Sequence, residues 1–175
     1  MNPIQWPDDF SIEQLSKRHK RTTFQSGVEV VDEWLKKNAH QVQEKHLSVT
    51  RVLLKAPNSV AGYYTLAMGQ VNFDELPHKM VRKLPGTLLP IVRLAWLGID
   101  KEYQGKGFGK RLLAQALVDC YHTGQIMPFV AVLLDCVNLN AKMFYQGYDF
   151  AELPGHPMKL MLPWKLLSGM METKE

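Results

Sequence analysis

Residues 90 to 120 constrain the fold more than any other stretch: PIVRLAWLGID, then KEYQGKGFG, then KRLLAQALVDC. The first piece is too uniformly apolar for a half-exposed strand, which puts it in the centre of a sheet. In the last piece Leu112, Leu113, Ala116, Leu117 and Cys120 recur at helical spacing and mark one face of an amphipathic helix. Between them stand three of the chain's 12 glycines within five positions. Where a strand passes into a helix through such a loop, the first-turn amides have no intrahelical partner. The helix dipole adds positive potential at the same place. An anion such as phosphate satisfies both, provided no side chain blocks its approach. Gly105, Gly107 and Gly109 remove that block, and Lys106 and Lys110 add charge. The spacing is not that of a P-loop, GxxxxGK[ST], and a GxGxxG fingerprint would need glycine where Lys110 stands. A plain strand-to-helix turn would also use glycines, so the loop by itself indicates pyrophosphate without naming its owner.

The rest of the chain builds one domain around this unit. At 175 residues it is long enough for a sizeable core. With 46% hydrophobic and 22% charged residues it reads as globular. No apolar run reaches the roughly 18 residues that span a bilayer. The start, MNPIQWPDDF, has neither the basic nor the apolar region of a signal peptide. Cys120 and Cys136 fit neither a zinc site nor a CxxC motif, and read as reduced core thiols of a cytoplasmic protein. The net charge of +4 permits an acidic partner without demanding one.

The N-terminal piece reads as poorly ordered, then basic at KRHKR (17 to 21), a solvated surface or a nucleic-acid contact. Val28, Val31, Leu35, Ala39 and Val42 predict an amphipathic helix whose other face carries Lys36, Lys37, His40 and Lys45. VTRVLLK (49 to 55) and VAGYYTLAM (60 to 68) predict two strands separated by a PNS turn. HKMVRKLPG (78 to 86) is a short basic helical insert ended by Pro85-Gly86. FVAVLLD (129 to 135) is a second buried strand, Asn138 caps a short helix through NLNAKMFYQGY, and MKLML (158 to 162) is the last strand. The class is α/β, or α+β with a mixed sheet, and the core runs over about residues 24 to 164.

Gln104-x-x-Gly107-x-Gly109, directly after LGID, resembles the acetyl-CoA loop of the GNAT N-acetyltransferases. More of the chain is similar to one branch of that family, the tRNA-acetylating toxins of type II toxin–antitoxin pairs. The matching pieces are F-x-S-G at 24 to 27, VVDEWLKKNAHQVQ, VAGYYTLA, VRKLP at 81 to 85, and FY at 144 to 145. The resemblance implies the GNAT fold and acetyl-CoA as cofactor, with no metal. It implies that the coenzyme's pyrophosphate sits on the amides of Gln104, Gly105, Lys106, Gly107, Phe108, Gly109 and Lys110. It implies that the pantetheine arm pairs with the strand at Leu97, Gly98 and Ile99. It further implies aminoacyl-tRNA as substrate, acetylated on its α-amino group so that translation stops, a ribbon-helix-helix antitoxin as partner, and a homodimer.

The chemistry of acetyl transfer needs a neutral amine, a polarised carbonyl and a proton for the departing thiolate. The resemblance assigns that proton to Tyr145, which otherwise reads as a helix residue packed on the sheet. No histidine or glutamate stands out as a base; His46, His122 and His156 read as surface residues. An α-amine, with a pKa of roughly 7.7–8.0, needs less help than a lysine near ~10.4, which favours the α-amine substrate. Arg82 and Lys83, with Lys79 nearby, are the leading candidates for phosphate contacts, followed by Lys36, Lys37 and Arg93. Two positions depart from the toxin pattern. Trp96 stands where arginine is usual, and reads as a stacking surface for a substrate base, a pocket filler or core. Arg93, three positions earlier on the strand, falls on the opposite face unless a bulge intervenes. Asp149 stands where glycine is usual, and would alter the turn after the catalytic helix. Rival readings are a GNAT enzyme for a small amine or protein N-terminus, and a catalytically silent acyl-CoA-binding module.

Overall fold

The computed structural model describes residues 4–172. Its seven strands form one sheet in the order β1-β2-β3-β4-β5-β7-β6. Two compact units divide the chain: residues 4–67 with Leu94–Val118, and Met68–Arg93 with residues 119–172.

The first unit begins with β1 (Phe10–Gln14), which pairs antiparallel with β2 (Val49–Lys55) from Phe10↔Lys55 to Gln14↔Arg51. A strand here corrects the expectation of a poorly ordered start. Its alternation, Phe10 and Ile12 against Ser11 and Glu13, is too short to carry a periodicity argument, and pairing with β2 supplies what local pattern does not. β2 in turn pairs antiparallel with β3 (Ser59–Asn72). The predicted single helix over 28–42 is three pieces: α1 (Glu29–Glu33), a π-helical turn (Trp34–Asn38) and α2 (Ala39–Glu44). Its buried stripe, Val31, Leu35 and Ala39, is spaced by fours. Such a stripe drifts around a 3.6-residue helix, and the wider π turn takes up the drift. These residues pack with Leu15, Phe24, Val52, Leu54, Val60 and Tyr63. Beyond them lie the end of β4 (Leu88–Ile99) and the start of α4 (Phe108–Ile126).

In the second unit β4 pairs in parallel with β5 (Ala131–Asp135), and β5 pairs antiparallel with β7 (His156–Pro163) from Ala131↔Pro163 to Asp135↔Lys159. Ala131 to Leu134 are all buried, as a strand covered on both faces requires. α5 (Leu139–Gln146) follows β5, and its N-cap Asn138 accepts a hydrogen bond from the Ala141 amide at 2.8 Å. The basic insert shrinks to α3 (His78–Val81); Arg82 and Lys83 lie exposed in the turn after it. Three features go beyond the sequence reading. β3 runs on to Asn72, β6 (Ala151–Leu153) forms the sheet margin beside β7, and α6 (Trp164–Glu172) follows the last strand. Leu167 and Met171, four apart and buried, anchor α6. Cys120 and Cys136 are free and buried. Among the described residues no helix is long and apolar enough to cross a membrane.

Candidate active site

The glycine loop is tied down at its base rather than at its tip. Asp100, directly after β4, accepts hydrogen bonds from the Glu102 amide (3.0 Å) and the Gln25 amide (2.9 Å). The Lys101 amide donates to the Gln25 carbonyl at 2.8 Å. The Gln104 side chain donates to the carbonyls of Ser26 (2.6 Å) and Ile99 (2.8 Å). Gln104 is therefore a strut: its amide group braces the strand end against the FQSG segment instead of pointing to a ligand. Asp100 and Gln25 escaped the sequence reading. An Asp just before a turn was the available signal for Asp100, since that is a capping position.

Above this base the tip is bare. Gly105 (φ +73°) and Gly107 (φ +80°) both adopt the left-handed conformation, and a Cβ added to either would meet nothing within 4 Å. Gly109 lies inside the first turn of α4. Open space over left-handed glycines, at the start of a 19-residue helix, has the form of a cradle that an anion can fill. Lys106 and Lys110 are exposed beside it, and Lys106 Nζ donates to the Glu102 carbonyl at 2.8 Å. Phe108 differs from its neighbours. Its ring is buried in a cluster with Phe10 (4.7 Å), Tyr103 (5.8 Å) and Trp6 (6.2 Å), so only its amide is left for the cradle.

The strand leading to the loop has an edge to offer. β4 pairs with β5 only from Ile91↔Ala131 to Arg93↔Leu133, although β4 continues to Ile99. Leu97, Gly98 and Ile99 lie in that last stretch, where an extended arm can add hydrogen bonds as a strand would. Gly98 is required by packing: a Cβ there would come within 2.6 Å of Val31 Cγ1 and 3.3 Å of the Tyr63 ring.

In the second unit Tyr145 projects from α5 and is buried. Phe144 (5.2 Å) and Phe150 (5.7 Å) meet its ring edge-on and fix the ring plane. Burial pushes its phenol well above the ordinary tyrosine value, with a smaller push from Cys136. Such a group stays protonated at any physiological pH and has a proton to give. Asp149, at φ +65°, adopts the backbone conformation that glycine favours. The altered turn expected from this substitution is thus replaced by a glycine-like turn, which aspartate tolerates better than most residues. The unit also holds a cavity of about 710 Å³ lined by Met80, Leu84, Phe129, Trp164 and others, without Tyr145.

The cationic candidates separate. Arg93 Nη1 bonds Asp135 Oδ2 at 2.8 Å across the β4–β5 pair, so its charge is already partnered. Lys37 pairs with Glu33 one turn back. Lys36 is half-buried in the π turn, while Arg82, Lys83 and Lys79 are exposed on and after α3. Trp96 stacks on Trp34 at 5.3 Å and 15°. Both rings pack against the first unit's core yet remain partly exposed. His46, His122 and His156 are exposed, as read from the sequence.

A strand that passes through bare glycines into a long helix suits a ligand that carries a pyrophosphate, as an acyl-CoA does. Residues 52–152 match the family model described as an acetyltransferase (GNAT) domain. The chain is 31% identical over 152 residues to a tRNA-acetylating toxin of Mycobacterium tuberculosis, covering 87% of this chain and 90% of that protein. It is 27% identical over 170 residues to a probable toxin TacT of Sinorhizobium fredii, covering 91% and 94%. Its fold superposes on AtaT complexed with acetyl-methionyl-tRNAfMet with a TM-score of 0.86 at 25% identity, over 93% of this chain and 99% of AtaT. The chain belongs to the GNAT acetyltransferases. It is an N-acetyltransferase that uses acetyl-CoA as donor.

Proposed function

We propose that this enzyme acetylates the α-amino group of aminoacyl-tRNA and thereby acts as a toxin that stops translation. The end-to-end likeness to a relative named tRNA-acetylating toxin carries this reading. The likeness to AtaT, described in complex with acetyl-methionyl-tRNAfMet, supports the same substrate class. The chain works as a single catalytic domain in the cytoplasm, where its substrate is made. An antitoxin of the ribbon-helix-helix type restrains it, and it acts as a homodimer.

The amides from Gly105 to Lys110 hold the pyrophosphate, the Gln104 amide already donating to the Lys101 carbonyl at 3.4 Å, and the edge of Leu97 to Ile99 holds the pantetheine arm. Acetyl-CoA supplies the acetyl group as a thioester. Backbone N–H groups on that edge polarise the carbonyl as the α-amine attacks. Tyr145 then gives its phenolic proton to the departing sulfur, and the proton that the amine loses on becoming an amide passes through solvent to restore the phenol. Burial makes that phenol a weaker acid than in water, but burial raises the pKa of a desolvated thiolate in the same direction. The difference that governs transfer is smaller than the phenol's own shift. No protein base is required for an α-amine that is already partly neutral near pH 7. Arg82 and Lys83, with Lys79, contact tRNA phosphates; Lys36 adds to them, and Arg93 contributes only if it exchanges Asp135 for phosphate.

Purified enzyme, acetyl-CoA and a mixed aminoacyl-tRNA pool test the reading. Acetylated aminoacyl-tRNA is the expected product. The four phosphate contacts of Arg82, Lys83, Lys79 and Lys36 should weaken substrate binding roughly 50- to 150-fold between about 50 and about 200 mM salt. Acetylation of free amines or protein N-termini with no activity on charged tRNA would replace it with the small-amine reading.

A further inference from the structure

We infer that Trp34 and Trp96 form a stacking platform for the flat group next to the reacting amine, an inference that rests on the tRNA reading above. The two faces of β4 differ. On one, a Cβ at Gly62 would meet Ile99 at 2.7 Å and Leu112 of α4 at 3.2 Å, so α4 covers that face. On the other, a Cβ at Gly98 would strike Val31 of α1, and Trp96, two residues earlier, shares that side by strand alternation. α4 carries the anion cradle at its N-terminus. The acceptor therefore approaches from the face of α1 and the π turn, where Trp96 sits. Trp96 precedes Leu97–Ile99 directly, which puts it roughly 3–10 Å along the strand from the amides that polarise the carbonyl.

The pair is also held rigid. Trp34 Nε1 donates to Thr65 Oγ1 at 3.2 Å, and Thr65 shares a buried 2.7 Å hydrogen bond with Thr50. Trp34 opens the π-helical turn, a distortion that often marks functional sites, and Lys36 follows two residues later in the same turn. A rigid, partly exposed indole pair suits a planar group attached to a phosphodiester chain. In an aminoacyl-tRNA that group is either the 3′-terminal adenine or an aromatic side chain of the amino acid. Stacking on tryptophan is indifferent to sequence, so Trp96 offers a base contact whatever the tRNA.

The experiment compares wild type, Trp96→Leu and Trp96→Tyr on tRNA charged with phenylalanine and on tRNA charged with alanine. Coenzyme A affinity, read by calorimetry, reports whether each variant is folded. Trp96→Leu should raise KM roughly 5- to 100-fold with kcat little changed, and Trp96→Tyr should restore most of the loss. An equal rise for both tRNAs assigns the platform to the adenine; a rise confined to the phenylalanine-charged tRNA assigns it to the side chain. Unchanged KM in a Trp96→Leu variant that binds coenzyme A normally overturns the inference and leaves the tRNA reading standing. So does a rise in KM that tyrosine fails to rescue, which would mark a packing defect. Failure of wild type to acetylate any charged tRNA removes both.

Discussion

The glycine loop and α5 are the two regions proposed to serve acetyl transfer, and they are made of different material. From Gly105 to Lys110 the candidate groups are main-chain amides, and side chains leave them bare by being absent, as at Gly105 and Gly107, or turned away, as at Phe108. On α5 the reverse holds: one buried phenol, clamped by Phe144 and Phe150, is the candidate chemical group. A main-chain site tolerates many substitutions and fails when a Cβ enters it. A side-chain site fails when one atom leaves. The two regions should therefore respond to mutation in opposite ways.

The sharpest way to break this contrast is Tyr145→Phe. It removes one oxygen from a ring held on two sides by aromatic contacts, so folding and coenzyme A binding should persist. The turnover number should fall by about 10²–10⁴, the usual contribution of a positioned acid. Burial raises the phenol's pKa, so wild-type activity should show no alkaline loss from this group until above the ordinary tyrosine value near ~10. Steady-state rates as a function of pH read both effects. If Tyr145→Phe turns over normally, α5 contributes packing alone and the protonation of sulfur falls to solvent.

Gly107→Ala probes the other region and should have the next largest effect. At φ +80° an alanine carries roughly 1–2 kcal/mol of backbone strain, since left-handed backbone is disfavoured for a residue with Cβ. The added methyl meets no protein atom, so its further cost must come from the anion it displaces. Coenzyme A affinity should fall tenfold or more while thermal stability drops only by the strain. Lys106→Ala, by contrast, leaves the amides in place and should cost a few-fold in affinity, more at low salt. Equal losses at Gly107 and Lys106 would mean that charge, not main-chain geometry, holds the pyrophosphate.

How well each region could be read from the sequence follows from the same difference. Strand, glycines and amphipathic helix lie within 31 consecutive residues, 90 to 120, and local pattern is enough to place them. β2 matched its expected bounds, and Asn138 caps α5 as its type predicts. β1 was missed because pairing with β2 makes it, and α6 because its buried residues, Leu167 and Met171, give only two points of a period. The role of Gln104 as a strut needed the Ser26 carbonyl, 78 residues away in sequence. The π turn was invisible for a related reason: a stripe spaced by fours reads as an ordinary helix until its drift is laid against a sheet. Trp96 was open between stacking and core, and its partner Trp34 went unremarked because only the fold brings residues 62 apart in sequence into one stack.

Asp149→Gly should have the smallest effect, and it tests whether α5 depends on its local turn. The aspartate sits at φ +65°, in the region where an ordinary residue loses roughly 1–2 kcal/mol and aspartate somewhat less. Glycine removes that strain but costs about 0.5–1 kcal/mol in chain entropy on folding. The two nearly cancel, so the melting temperature should move little and the turnover number not at all. Asp149→Ala lacks both remedies and should lose about 1 kcal/mol, read by denaturant titration. If Asp149→Gly instead changes turnover while stability holds, the carboxylate itself acts on the reaction, and the second region uses more than one side chain.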